Sequence, residues 1–142
     1  MPVLHIHIPE SAADASRARR LLEEGSRVYA DALECPVDRV RLFLHTYAPG
    51  MAAVGGQVLE QGDQGAPFFS CYAMADRAQA QIDHLMAQLT ALIADILVVP
   101  PAVIRAECKR VPPTNWYIAG ESAATKRKVE LEARAAAQPP VD

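Results

Sequence analysis

The sequence has no excess of charge of either sign. Its 14 Lys and Arg against 17 Asp and Glu leave a net charge of −3 over 142 residues, which gives no electrostatic footing for a nucleic-acid partner. It also lacks a long apolar run: Leu89 to Val103, the longest, carries Thr90 and Asp95 and is broken by Pro100-Pro101. That stretch is too short and too polar to span a bilayer, so no membrane partner is expected. The chain does not open with the basic region and apolar core of a signal peptide, and the expected location is the cytoplasm. Cysteine is scarce and odd in number. Cys35, Cys71 and Cys108 stand without CxxC or Cys/His ligand spacing, which reads as reduced core or strand residues, with neither a disulfide framework nor a metal site. His5 and His7 alternate with apolar residues and share a sheet face. With no third ligand at a defined spacing, they read as hydrogen-bonded strand histidines.

What is present is the composition of one globular domain over residues 1–142, 51% hydrophobic and 22% charged. Val3, Leu4, Ile6 and Ile8 form a short strand that closes at Pro9. Ser11 is the expected cap of a helix, with Asp14 three residues on, and Ala18, Leu21, Leu22, Val28, Tyr29, Ala32 and Leu33 share its apolar face. Residues 40–47 read as a second strand, followed by a glycine turn at Gly55-Gly56. The polar, glycine-rich stretch from Glu60 to Ala66 is the best linker. The same order of events then begins again. Residues 67–74 read as a strand, and Asp76 is the expected cap of a second helix. Ile82, Leu85, Met86, Leu89, Leu92, Ile93, Ile96 and Leu97 stripe that helix, and residues 103–111 read as another strand.

The two halves align by position. Pro2 and Pro67 stand 65 residues apart, while Pro36 and Pro100, Arg41 and Arg105, and Gly56 and Gly120 each stand 64 apart. Such a repeat indicates duplication and fusion. A β-α-β unit joins parallel strands by a right-handed crossover, and one unit is too small to bury its own core. The expected fold is therefore α/β: two tandem β-α-β units forming a four-stranded sheet with both long helices on one face. The division is repeat one over 2–58, a linker over 59–66, repeat two over 67–121 and a C-terminal tail over 122–142. The tail has good helix formers but few apolar residues and reads as a surface helix or frayed end.

Pro2 is the reactive candidate. Removal of Met1 would leave its nitrogen as a secondary amine, and an α-amino group titrates at about 7.7 to 8. Burial and nearby cations lower that value. Near neutral pH the amine would then serve as a general base.

Pro2 opening a strand, a long helix, Pro36 with Arg41 five residues on, and Gly55-Gly56 together resemble 4-oxalocrotonate tautomerase over residues 2–58. Residues 67–121 resemble it again, through Pro100, Arg105 and the stretch from Val111 to Gly120. The chain is thus similar to a fused member of the tautomerase superfamily. The resemblance implies catalysis by Pro2, whereas the nitrogen of Pro67 is locked in a peptide bond. It implies that Arg77 binds a substrate carboxylate, with Ala12 at the matching place in the first half. It puts the strand arginine on Arg41 and Arg105, and the bulky aromatic of the site on Trp116, with Ala52 in the first half. The first half supplies the base, and the second supplies Arg77, Trp116 and a strand arginine.

The activity implied is cofactor-independent keto-enol tautomerisation of small enol or 2-oxo carboxylic acids. The runner-up is a proline-dependent dehalogenase, hydratase or decarboxylase. Those relatives use a pair of arginines near the second-half strand end and a carboxylate or histidine that activates water; the resemblance puts the first arginine of the pair on Met74 and the first-helix histidine of the cis-type dehalogenases on Tyr29. A catalytically silent trimeric binding or scaffold protein is the reading from another class. The uncovered sheet face, expected to show Val3 or Leu4, Phe43, Phe69 and Tyr72, implies closure of three copies into a homotrimer.

Overall fold

The computed structural model describes residues 2–137. In chain order the elements are β1 (Val3–Pro9), α1 (Ala15–Ala32), β2 (Arg41–Tyr47), and the small hairpin of β3 (Ala53–Val54) and β4 (Gln57–Val58). They continue with β5 (Phe68–Met74), α2 (Gln79–Leu97), β6 (Arg105–Val111), a second small hairpin of β7 (Tyr117–Ile118) and β8 (Glu121–Ser122), and α3 (Ala123–Ala137). The four long strands make one mixed sheet in the order β2-β1-β5-β6. β1 runs parallel to β2, and β5 parallel to β6. The central pair is antiparallel, with Val3 opposite Tyr72 and His7 opposite Phe68.

Side chains alternate across a strand, and that alternation separates the two faces of the sheet. Leu4, Ile6 and Ile8 of β1 and Phe69, Cys71 and Ala73 of β5 are buried in one core with Leu21, Tyr29, Leu85, Leu89 and Ile93 of the two long helices. Leu4 and Phe69 therefore belong to the helix-covered face, not to the uncovered one. The opposite face presents His5, His7, Phe43, His45 and Tyr72 in ring contact with one another, beside Glu107 and Lys109. It is aromatic and polar more than aliphatic. The expected Phe43 and Tyr72 stand there with three histidines.

The helix starts also differ from expectation. Asp14, not Ser11, caps α1, accepting a hydrogen bond from the Arg17 N–H at 2.9 Å. α2 begins after Ala78 with no side-chain cap, and Asp76 is engaged elsewhere by Arg127 at 3.0 Å. On α1 the buried positions are Leu21, Gly25, Tyr29 and Ala30, while Leu22 is exposed. Gly25 is buried because α1 lies tight on β2: a Cβ there would come within 2.8 Å of the Leu42 side chain. The three cysteines are free thiols. Among the described residues no helix is long and apolar enough to cross a membrane.

Candidate active site

Pro2 is buried at the head of β1, with its carbonyl accepting a hydrogen bond from the Arg41 N–H at 3.0 Å. It lines a cavity of about 320 Å³. Cys35, from the turn after α1, and Met74, at the end of β5, form apolar wall beside it, and Ile118 of β7 adds to it. Four cations reach the same space: Arg39, Arg77, Lys126 and Arg127, against one carboxylate, Glu130. A narrow extension adds Leu33, Tyr72 and Ala73 to Pro2, Cys35, Met74 and Arg77.

Arg77 arrives from the turn between β5 and α2. Its backbone is fixed on both sides: its N–H donates to the Met74 carbonyl at 3.1 Å, and its carbonyl accepts from the Arg110 guanidinium at 2.6 Å. Arg110 also donates to the Ala75 carbonyl and to Gln79 Oε1, so one guanidinium on β6 clamps the whole turn. Among the described residues the Arg77 guanidinium has no carboxylate partner. The same holds for Arg39, which stands in the short turn of Val37–Arg39. Both act on one neighbour. Burial pushes the Cys35 thiol above its ordinary pKa, and the positive charges of Arg77 and Arg39 oppose that rise.

The other expected residues lie elsewhere within the chain. Arg41 is adjacent to Pro2 in backbone only; its guanidinium turns back to donate to the Asp38 carbonyl at 2.9 Å. Arg105 repeats that arrangement, with its N–H on the Pro67 carbonyl at 3.2 Å and its guanidinium on the Ala102 carbonyl at 2.7 Å. Because β5 is antiparallel to β1, this copy of the pattern sits at the opposite end of the sheet. Arg105 there lines a separate groove of about 570 Å³ with Val54, Leu59, Ala66 and Val103. Trp116 packs on Tyr72, ring centroids 5.8 Å apart, one side chain behind the Pro2 cavity. Tyr29 is fully buried and donates its hydroxyl to the Tyr72 carbonyl. It cannot activate water in the cavity.

Sequence reasoning did not single out Arg39, Arg110, Lys126 or Arg127. Arg39 was hidden by its neighbour, since only the turn geometry decides which of two nearby arginines faces inward. Lys126 and Arg127 belong to the tail. Among the described residues no group of three His, Cys, Asp or Glu side chains is arranged to hold a metal ion.

Neither a family model nor a curated protein matches the sequence. Solved structures do. The F6 fused 4-OT, an asymmetric trimer, shares 26% sequence identity across 87% of this chain and 98% of its own, with a TM-score of 0.79. The chain is similar in fold to the fused 4-OT of the tautomerase superfamily. Pt0534, solved after inactivation by 2-oxo-3-pentynoate, superposes on the fused 4-OT-like chain with a TM-score of 0.80 at 23% identity, covering 87% of this chain and 98% of that one. N1, a member of the cis-3-chloroacrylic acid dehalogenase family, shares the fold at 18% identity and a TM-score of 0.73, over 96% of this fused 4-OT-like chain and 92% of its own.

Proposed function

We propose that this chain, once Met1 is removed, is a cofactor-independent tautomerase that moves a proton within small enol or 2-oxo carboxylic acids, with Pro2 as general base. The observation that carries this reading is that Pro2 and the Arg77 guanidinium, which has no carboxylate partner among the described residues, line one cavity with apolar side chains and three further cations. Positive charge and burial both lower the pKa of an amine, which keeps the Pro2 nitrogen neutral at physiological pH and able to accept a proton.

The proton follows a closed path. The Pro2 nitrogen takes it from the enol oxygen, or from the carbon beside the carbonyl, of a bound acid. An ammonium at Pro2 and a dienolate result. Arg77 grips the carboxylate through parallel N–H donors, and the developing oxyanion needs a cation. Arg39 supplies that cation in the same chain. Pro2 then returns the proton to a different carbon, and the keto isomer leaves. The supporting assembly is a homotrimer, the state in which the F6 fused 4-OT was solved. In such a trimer Arg41 or Arg105 would serve this site from a neighbouring copy. Trp116, through Tyr72, keeps water from the inner wall.

Dehalogenation or hydration is less well supported, because Met74 stands among the cavity residues and Tyr29 is committed to the core. The test is an assay of Met-free protein against a panel of enol pyruvates and hydroxymuconates, with Pro2→Ala as control. Isomerisation that depends on Pro2 supports the reading. If every compound is inert and 2-oxo-3-pentynoate leaves Pro2 unlabelled, the silent scaffold takes its place.

A further inference from the structure

α3 belongs to neither of the two matching halves of the sequence, yet its first two turns form a wall of the Pro2 cavity. Ala123, Lys126, Arg127 and Glu130 all face it, at the three- and four-residue spacing of one helical face. The helix is docked there at two points. The Ala123 N–H donates to the Trp116 carbonyl at 2.7 Å, and Arg127 pairs with Asp76 at 3.0 Å. Asp76 is the residue just before Arg77, so this ion pair ties α3 to the turn that carries the carboxylate-binding group.

Four cations and one carboxylate, Glu130, line the cavity, and a singly charged ligand does not engage all four cations. Arg77 takes one carboxylate and Arg39 the enolate oxygen, while Arg127 is held by Asp76. Lys126 remains. Its nearest carboxylate is Glu121 of β8 at 3.7 Å, beyond hydrogen-bond distance, and Glu130 pairs with neither Lys126 nor Arg127 among the described residues. A half-buried ammonium with a loose partner, facing a cavity of about 320 Å³, is suited to a second negative group. A cavity of that size is larger than a three-carbon acid requires.

We propose that Lys126 is a specificity-determining residue, placed by α3 to bind a second carboxylate at the end of the substrate remote from the one held by Arg77. The inference rests on the proton-transfer reading for its account of Arg77 and Arg39. Arg127 and Asp76 are positioning residues for it, because they set the distance between the wall and the turn.

The experiment is calorimetric titration of Met-free protein with fumarate, a dianion, and with its monoamide, which has nearly the same shape and one charge fewer. The wild-type chain should bind fumarate more tightly. In Lys126→Met, which keeps most of the aliphatic stem, the ratio of the two affinities should fall roughly tenfold, the scale of one charge-assisted hydrogen bond. Lys126→Arg should restore it. Glu121→Gln, which frees Lys126 without touching the cavity wall, should raise the ratio, and this variant decides the matter if Lys126→Met does not fold. No binding of either acid, no preference in the wild type, or a ratio unchanged by Lys126→Met and Glu121→Gln would overturn the proposal. Binding does not depend on turnover: discrimination without Pro2-dependent isomerisation removes the tautomerase reading alone, and isomerisation without discrimination removes the role of Lys126 alone.

Discussion

The Nδ1 atom of His5 and the Nε2 atom of His45 lie 2.8 Å apart across β1 and β2. A hydrogen bond between two imidazole nitrogens holds one proton, so at least one of the rings must be neutral for it to form. His7 stacks on His45 with ring centroids 4.5 Å apart, which sets three imidazoles side by side on the uncovered face. Burial lowers the pKa of His5, and the nearby charges of His45 and Lys109 lower it further; burial, His45 and His5 do the same for His7.

Acid should therefore weaken the fold. With the folded pKa depressed, the unfolded chain binds more protons as the pH falls through about 6.5 and below, so stability is full above that value and lost beneath it. Melting temperature measured between pH 7.5 and 5 should fall, and His45→Gln should flatten the dependence. A melting temperature indifferent to pH over this range would show that the stack accepts protons freely. Because the stack lies on the face a homotrimer would cover, light scattering over the same range should show the assembly dissociating on the acid side.

The Pro2 amine should govern rate. kcat/KM for an enol acid should rise with pH through the pKa of the amine and then level, because only the neutral form accepts a proton. Pro2→Ala keeps a primary amine and should retain part of the activity, whereas a sample that retains Met1 should have none. Full activity with Met1 in place would remove Pro2 from the mechanism.

Arg77 and Arg110 should separate in steady-state kinetics. Arg77→Ala removes binding common to ground and transition states and should raise KM roughly tenfold or more with a smaller change in kcat. Arg110→Ala leaves that guanidinium present but releases the turn it clamps at Ala75, Arg77 and Gln79. It should raise KM in the same direction by less, and Arg110→Lys should not rescue it, since a point charge cannot span three acceptors.

Trp116→Ala tests the inner wall. Loss of the indole from Tyr72 admits water behind the cavity and should move the kinetic pKa upward, toward that of a solvated amine. An unchanged kinetic pKa would leave Trp116 a packing role only.

Leu89→Ala should destabilise the fold by about 2 to 5 kcal/mol, the range for a leucine deleted from a close-packed core, because Leu89 is fully buried between α2 and the sheet. Denaturant midpoints measure it. A smaller loss would mean that the neighbours collapse into the space.

The sequence by itself determined the order of the elements and the sheet-and-helix class, because both follow from short-range periodicity. The stripe from Ile82 to Leu97 can be buried only as a helix, and alternation in Val3–Pro9 can be satisfied only in a strand. Helix starts were less legible. A cap depends on the backbone angles of one residue, so Ser11 and Asp76 read well and yet Asp14 and Ala78 hold the positions. The assignment of side chains to faces and ends was decided only in three dimensions. The antiparallel pairing of β1 with β5 sends Arg105 away from Pro2 within one chain. The Arg41 guanidinium is spent on the Asp38 carbonyl, so the turn residue Arg39 faces the cavity instead. α3 has too thin an apolar face to announce a docking site; a single backbone hydrogen bond and the Arg127–Asp76 pair place it against Pro2. The pairing of β1 with β5 and the Arg127–Asp76 pair join residues far apart in the chain, and no local pattern encodes them.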